Sequence, residues 1–124
     1  MSSGDAPPLV LLVDDHTDSR EMFVEMLRRS AFIVVEAEHG DQALARLNEQ
    51  RPSIVITDLR MPGLPAVELC RQLQKQGIPV IALTALHPGP EHEAARAAGC
   101  AAVLLKPVLP DVLVTETRRI LQIV

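Results

Sequence analysis

The sequence predicts an α/β fold in which one parallel sheet of five strands is covered by helices on both faces. Five short apolar segments alternate along the chain with five segments of helical character. The apolar segments are continuous rather than alternating, which is typical of strands buried on both faces of a parallel sheet. Hydrophobic residues make up 48% of the 124 residues and aromatic residues only 2%, so the core has to be aliphatic. A chain of this length forms one domain.

The first half of the chain is predicted to hold three strands and two helices. The strands are the apolar segments at residues 9–13, 32–37 and 54–57. A first helix is predicted over residues 18–29, because Asp18 and Glu21 have the spacing of a capping box. Its apolar stripe consists of Met22, Phe23, Met26 and Leu27. The second helix is predicted at residues 41–49, and the side chains of Ala43, Leu44 and Leu47 are expected to face the core.

The second half is predicted to hold two strands and three helices. A third helix is predicted to begin near Pro65, because the backbone N–H that proline lacks is not needed in the first turn of a helix. This helix is predicted to end before Gly77. The fourth strand, fourth helix and fifth strand are predicted at residues 80–83, 91–98 and 103–105, with Gly99 ending the helix. The last helix covers about residues 111–122 and aligns Leu113, Ile120, Leu121 and Val124.

Residues 1–8 are predicted to form a flexible leader, and residues 9–124 are predicted to form the folded domain.

The order of the strands follows from the handedness of their connections. Right-handed crossovers leave few arrangements, and for five strands the flavodoxin-like order 2-1-3-4-5 is favoured. In this order the carboxyl ends of the first and third strands are neighbours, at the edge where ligands bind in open α/β sheets.

Polar residues follow four of the five predicted strands. They are Asp14 and Asp15, Asp58, Thr84 and Lys106. Three adjacent carboxylates repel one another unless a cation neutralises them, and Mg²⁺ prefers carboxylate, water and phosphate oxygens. Next to such a cation, Asp58 could attack a phosphoryl group, while Thr84 and Lys106 stabilise its oxygens. Each residue alone has an ordinary role in a cap, a turn or a surface, but their joint placement favours phosphoryl-transfer chemistry.

At these positions the chain resembles the response-regulator receiver family of two-component signalling. The matching segments are Leu11-Leu12-Val13-Asp14-Asp15, Thr57-Asp58-Leu59-Arg60-Met61-Pro62-Gly63, Ala82-Leu83-Thr84-Ala85 and Leu105-Lys106-Pro107. The resemblance implies that Asp58 accepts a phosphoryl group from a histidine kinase or a histidine phosphotransfer protein. It also implies that Asp15, Asp58 and the backbone carbonyl of Arg60 bind Mg²⁺ directly, with Asp14 acting through water. Such a chain assists its own phosphorylation and dephosphorylation and is not a conventional enzyme.

Three positions depart from the family pattern, in the part that transmits the signal. Val103 stands where receivers usually carry Tyr or Phe, Val108 replaces a further aromatic residue, and Pro65 begins a segment that is usually Asp-Gly. A β-branched valine has one preferred rotamer and little reach, so we expect only a weak conformational response across helix four, strand five and helix five. The Lys106–Pro107 bond is expected to be cis, as in the family.

Composition and motifs exclude several other functions. The net charge of −4 and the absence of a basic block argue against direct binding of nucleic acid. The apolar runs are too short to span a membrane and no signal pattern begins the chain, so a cytoplasmic location is expected. Cys70 and Cys100 lack the spacing of a metal or redox motif and are interpreted as two buried thiols. The four histidines are interpreted as surface or capping residues rather than zinc ligands.

Two functions remain open from the sequence. The first is a phosphorylated switch or relay, and the second is an interaction module with a receiver fold whose site is unused. An aspartate-nucleophile phosphatase is excluded because Arg60 stands where those enzymes carry a second Asp. The fifth helix is the last predicted element, so the effect is expected to pass to a separate protein or to an output domain missing from this sequence. The oligomeric state is left open.

Overall fold

Within the part of the chain that the structure describes, five strands and five helices alternate, as the sequence predicts. The computed structural model describes residues 7–60, 65–84 and 90–123. The strands are β1 (Leu9–Val13), β2 (Ile33–Ala37), β3 (Ile54–Asp58), β4 (Val80–Thr84) and β5 (Ala102–Leu105). The helices are α1 (Thr17–Arg29), α2 (Gly40–Glu49), α3 (Ala66–Lys75), α4 (Pro90–Ala97) and α5 (Pro110–Leu121). Of the predicted leader, only Pro7 and Pro8 lie within the described residues.

The strands form one parallel sheet in the order β2-β1-β3-β4-β5, which confirms the predicted topology. In the register of the sheet, Val13 at the end of β1 pairs with Thr57 of β3, and Asp58 pairs with Leu83 of β4. The carboxyl ends of β1, β3 and β4 therefore lie side by side. This alignment brings the residues that follow those strands to one edge of the sheet.

The core has two layers, one on each face of the sheet. Alternate residues of β1 divide between them: Val10 and Leu12 pack with α1 and α5, whereas Leu11 and Val13 pack with α2 and α3. Most of the buried side chains in both layers are aliphatic, as the composition predicts. Complete burial of one such Leu, Ile or Val side chain contributes about 1.5–3 kcal/mol to folding. The strands that carry the polar edge are thus held rigidly from both sides.

Histidines cap the N-termini of the first two helices, and in α1 a histidine takes the place of the predicted capping box. His16 precedes α1, and its Nδ1 accepts a hydrogen bond of 3.4 Å from the backbone N–H of Ser19. The capping box of Asp18 and Glu21 is therefore wrong, because α1 begins one residue earlier and places Asp18 within its first turn, where a carboxylate still favours the helix dipole. His39 caps α2 in the same way. The capping role predicted for histidines is confirmed at these two positions.

The buried face of α1 differs from the predicted stripe at one position. Met22 is 44% exposed, whereas Val24 is buried with Phe23 and Leu27. A helical period of 3.6 residues allows either Met22 or Val24 to complete the stripe, so the rotation of the helix against the sheet decides between them. In α5, Leu113 is buried as predicted and Ile120 and Leu121 pack against the same core, while Val124 lies outside the described residues.

Glycines end the third and fourth helices in the conformation that the sequence predicts. Gly77 follows α3 with φ of +74°, and Gly99 follows α4 with φ of +95°. Only glycine adopts such angles without steric cost, so the chain reverses there. None of the helices in the described part of the chain has the length and apolar character that a membrane span requires.

Candidate functional site

Three carboxylates meet at the edge of the sheet where β1 and β3 end. One oxygen from each of Asp14, Asp15 and Asp58 lies within 4.8 Å of the others. Asp14 is fully buried and Asp58 is only 3% exposed, whereas Asp15 faces solvent. The site is therefore closed toward the protein core and open on the side of Asp15.

Backbone hydrogen bonds to β4 fix the position of Asp58. Asp58 is the last residue of β3, one residue beyond the predicted end of that strand. The next residue, Leu59, donates its N–H to the carbonyl of Leu83 over 2.8 Å, and the hydroxyl of Thr57 donates to the carbonyl of Asp58 over 3.0 Å. The ladder thus holds the backbone beside Asp58, so its side chain is presented by a rigid strand rather than by a loop.

The Asp14 side is held by Arg20, a residue that no pattern in the sequence singled out. Arg20, on α1, donates from Nη1 to the carbonyl of Asp14 over 2.8 Å and from Nε to Glu36 Oε1 over 3.2 Å. Asp14 Oδ1 accepts the N–H of His16 over 2.9 Å. A cation six residues after Asp14, on the first turns of the following helix, is the sequence signal that could have identified Arg20.

Lys106 reaches Asp58 from the end of β5. Its Nζ lies 2.6 Å from Asp58 Oδ1, and the Lys106–Pro107 peptide bond is cis, as predicted. Thr84 is buried at the carboxyl end of β4, and its carbonyl accepts the N–H of Lys106 over 2.7 Å. The strands thus bring Asp58, Thr84 and Lys106 to the same edge of the sheet.

The surroundings of Asp58 favour its protonated form when no metal ion is bound. Burial, and then the hydrogen bond and charge of Asp14, raise the pKa of Asp58 from 3.8 to about 7, although the ammonium of Lys106 lowers it. Desolvation and a neighbouring carboxylate therefore outweigh the ion pair. Near neutral pH the carboxyl group is divided between its two protonation states.

The carboxylate oxygens of the cluster fit a magnesium ion. Within the described ranges, Asp14 Oδ2 is buried with no donor group bonded to it, and Asp58 Oδ1 is buried with the Lys106 ammonium as its ion-pair partner. Buried carboxylate oxygens of this kind are costly unless a cation binds them. Together with the exposed Asp15 they form the set of hard oxygen donors that Mg²⁺ prefers.

Arg60, the remaining predicted ligand, lies two residues after Asp58. It is the last residue described before the gap at residues 61–64, and the contribution of its backbone carbonyl stays a prediction. The segment Met61-Pro62-Gly63 and the residue Ala85, which belong to the sequence pattern, lie outside the described residues.

Comparison with known proteins identifies the family of the chain. The sequence model of the family described as "Response regulator receiver domain" matches residues 10–118. The chain belongs to the response-regulator receiver family. This receiver is 32% identical over 114 residues to the transcriptional regulatory protein ResD of Bacillus subtilis, a match that covers 91% of the receiver and 48% of ResD. The receiver therefore spans about half the length of that relative.

Two further relatives show the same domain in different settings. The receiver is 34% identical over 116 residues to the sensor protein EvgS of Escherichia coli, a match that covers 92% of the receiver and 10% of EvgS. Its structure resembles the chemotaxis response regulator CheY4 of Vibrio cholerae with a TM-score of 0.83 at 28% identity, over 92% of the receiver and 98% of CheY4. The fold and the family are thus shared by regulators and by a sensor.

Proposed function

We propose that this receiver accepts a phosphoryl group on Asp58 from a phosphohistidine, with Mg²⁺ bound at the acidic cluster. The observation that carries the proposal is the buried Asp58 carboxylate, which contacts the Lys106 ammonium at 2.6 Å and shares its pocket with two further carboxylates. Such a group costs folding energy, because its charge is desolvated and repelled. A cost of this kind is typical of a reactive site rather than of a structural ion pair.

The transfer requires one bond to form and one to break. An oxygen of the Asp58 carboxylate would form a bond to phosphorus while the nitrogen–phosphorus bond of the phosphohistidine breaks, and the imidazole nitrogen would leave with that electron pair. The product is an acyl phosphate on Asp58. Lys106 would neutralise charge on the transferred oxygens, and the hydroxyl of Thr84 would donate a hydrogen bond to one of them.

The acidic cluster would hold the metal that this reaction needs. Asp14, Asp15 and Asp58 supply side-chain oxygens, and the backbone carbonyl of Arg60 is the predicted further ligand. When bound, Mg²⁺ supplies positive charge that offsets both the carboxylates and the incoming phosphoryl group. The same residues would assist hydrolysis of the acyl phosphate, so the receiver would promote its own phosphorylation and dephosphorylation without acting as a conventional enzyme.

The proposed donor is a histidine kinase or a histidine phosphotransfer protein in the cytoplasm. ResD is a transcriptional regulatory protein and EvgS a sensor protein, and the receiver matches only part of each. We therefore propose that the signal passes to an output domain on a separate protein or outside this sequence. A receiver that served only as an interaction module would gain nothing from the paired Asp58 and Lys106, so the structure disfavours that alternative.

Replacing Lys106 by Met should slow phosphorylation of the receiver by acetyl phosphate about 10²–10³-fold, the loss typical when one preorganised charge donor is removed. The rate is measured by intact mass in the presence of Mg²⁺. Lys75→Met is the matched control, since Lys75 is the only other lysine and lies exposed at the end of α3. A Lys106→Met rate within twofold of the Lys75→Met rate would contradict the role of Lys106.

Phosphorylation should produce only a weak response in α5, because Val103 cannot swing as an aromatic residue does. Val103 lines a cavity of about 320 Å³ together with Arg96, Glu116 and Arg119. NMR spectra with Mg²⁺ and beryllofluoride are expected to show shifts near Asp58 that fade before α5. Val103→Tyr, which places an aromatic ring at this cavity, should extend those shifts into α5. Large shifts through Val103 and α5 in the parent receiver would show the expectation to be wrong.

A further inference from the structure

Two cysteines that are distant in sequence meet between α3 and β5. Cys70 lies on α3 and Cys100 in the turn between α4 and β5, and their Sγ atoms are 3.0 Å apart. Both are free thiols; Cys70 is only 1% exposed, while Cys100 is half-buried. The interpretation as two buried thiols therefore holds for Cys70 and is wrong for Cys100. Their separation of 30 residues matches no short redox motif, so only the fold reveals the pair.

We propose that Cys70 and Cys100 form a reversible intramolecular disulfide when the receiver is exposed to a peroxide. A disulfide has a sulfur–sulfur distance of about 2.05 Å, so the two sulfur atoms need to approach by only about 1 Å. Side-chain rotation can supply a movement of this size. The bond would join α3, the helix that follows Asp58, to the turn before β5, the strand that leads to Lys106.

Close packing of α3 against the α4–β5 turn holds the two thiols together. A Cβ added to Gly99 would come within 2.6 Å of the side chain of Gln74, so the backbone beside Cys100 lies directly against α3. Cys70 belongs to the core layer formed with Leu69 and Leu73, and Cys100 packs against that layer. The sulfur atoms thus approach one another as a consequence of the fold and not of local chain flexibility.

The two thiols differ in a way that assigns them separate steps. Cys100 lines the open cavity that also contains Arg96 and Arg119, so a small oxidant can reach that wall of the protein. The hydrogen bond between the two thiols lowers the pKa of Cys100 and, together with burial, raises the pKa of Cys70. Because a thiol has to be accessible to the oxidant, the half-buried Cys100 reacts first and the buried Cys70 follows.

The oxidation balances with hydrogen peroxide as the oxidant. The Cys100 thiolate attacks one peroxide oxygen, the oxygen–oxygen bond breaks, and hydroxide leaves to be protonated to water, which gives a sulfenic acid. The Cys70 sulfur then attacks the Cys100 sulfur, the sulfur–oxygen bond breaks and a second water is released. Two thiols and one peroxide become one disulfide and two waters. A thiol such as glutathione reverses the reaction by exchange.

The test compares the folded receiver with its unfolded chain in buffers of reduced and oxidised glutathione. The disulfide fraction is measured by quenching, alkylation and intact mass, with and without urea. We expect an equilibrium constant for the disulfide at least about tenfold larger in the folded receiver, because folding already holds the thiols in contact. An equal or smaller constant in the folded chain would show that the native packing resists the bond and would overturn the proposal.

A second measurement follows the order of the two steps. After treatment with one equivalent of hydrogen peroxide, tryptic peptides 61–71 and 97–118 should be joined. Cys100→Ala should consume peroxide at least about tenfold more slowly than Cys70→Ala, since it retains only the buried thiol. A parent receiver that accumulates sulfinic acid on Cys100 while Cys70 stays a free thiol would overturn the proposal, and this outcome needs no variant to fold. Neither cysteine takes part in the proposed phosphorylation, so the two proposals can fail independently.

Discussion

Asp58→Asn should reduce labelling of the receiver by acetyl phosphate to background, a loss of at least about 10²-fold. The amide keeps the shape of the side chain but lacks the anionic oxygen that attacks phosphorus. Incorporation is measured by intact mass with Mg²⁺ present. Asp111→Asn is the matched control, because Asp111 is exposed in the first turn of α5 and lies outside the acidic cluster. It should be labelled as fast as the parent.

Two other outcomes of this experiment would have clear meanings. Undiminished labelling of Asp58→Asn would move the acceptor to another residue and reject the assignment. A parent receiver that binds Mg²⁺ but resists labelling both by acetyl phosphate and by a phosphorylated histidine phosphotransfer protein would favour the interaction module.

Removal of Mg²⁺ by a chelator should stop labelling of the parent, since the carboxylates then repel the phosphoryl group.

Without Mg²⁺, the ionised Asp58 should destabilise the receiver as the pH rises from about 4 to about 7. Its pKa is about 7 in the folded state and 3.8 as an ordinary value, so within this window the folded chain holds a proton that the unfolded chain has released. The stability contribution of Asp58 therefore falls with rising pH and reaches its minimum above pH 7. The full effect is on the order of 4 kcal/mol, at about 1.4 kcal/mol per pH unit.

Asp58→Asn isolates this contribution, because it removes the titrating group and leaves the others in place. In the presence of a chelator, the variant should be more stable than the parent at pH 8 by a few kcal/mol, and the difference should shrink toward pH 4. Urea unfolding of both proteins at pH 4, 6 and 8 measures it, with Asp111→Asn as the control. Saturating Mg²⁺ should raise the stability of the parent more than that of the variant. A variant less stable than the parent at pH 8 would mean that the Lys106 contact outweighs burial and repulsion.

The sequence predicts the sheet and its polar edge because both depend on patterns within short segments. Continuous apolar runs identify buried strands, and the handedness of crossovers orders them, so the strand order alone makes Asp14 and Asp58 neighbours. The same logic extends to Lys106, which follows directly after β5. What can be read from the sequence is therefore which residues share an edge of the sheet.

The features that the sequence misses depend on how whole elements pack. The rotation of α1 against the sheet buries Val24 and leaves Met22 exposed. The N-cap of α1 is a ring nitrogen of His16, and no spacing rule favours His16 over Asp18 for this role. Contact between Cys70 and Cys100 arises where α3 meets the turn before β5, two elements with no shared pattern. The raised pKa of Asp58 likewise follows from burial and from the distances to its charged neighbours, which depend on the packed fold.

The hydrogen bond from the Lys106 N–H to the Thr84 carbonyl has a mechanical consequence for signalling. Two of the groups proposed to contact the phosphoryl oxygens belong to adjacent strand ends that are tied together at 2.7 Å. Any displacement of the Thr84 backbone toward a phosphoryl group must carry the Lys106 backbone with it. With Val103 unable to rotate into a new position, we expect this receiver to signal by a joint shift of two strand ends and not by the turning of one side chain.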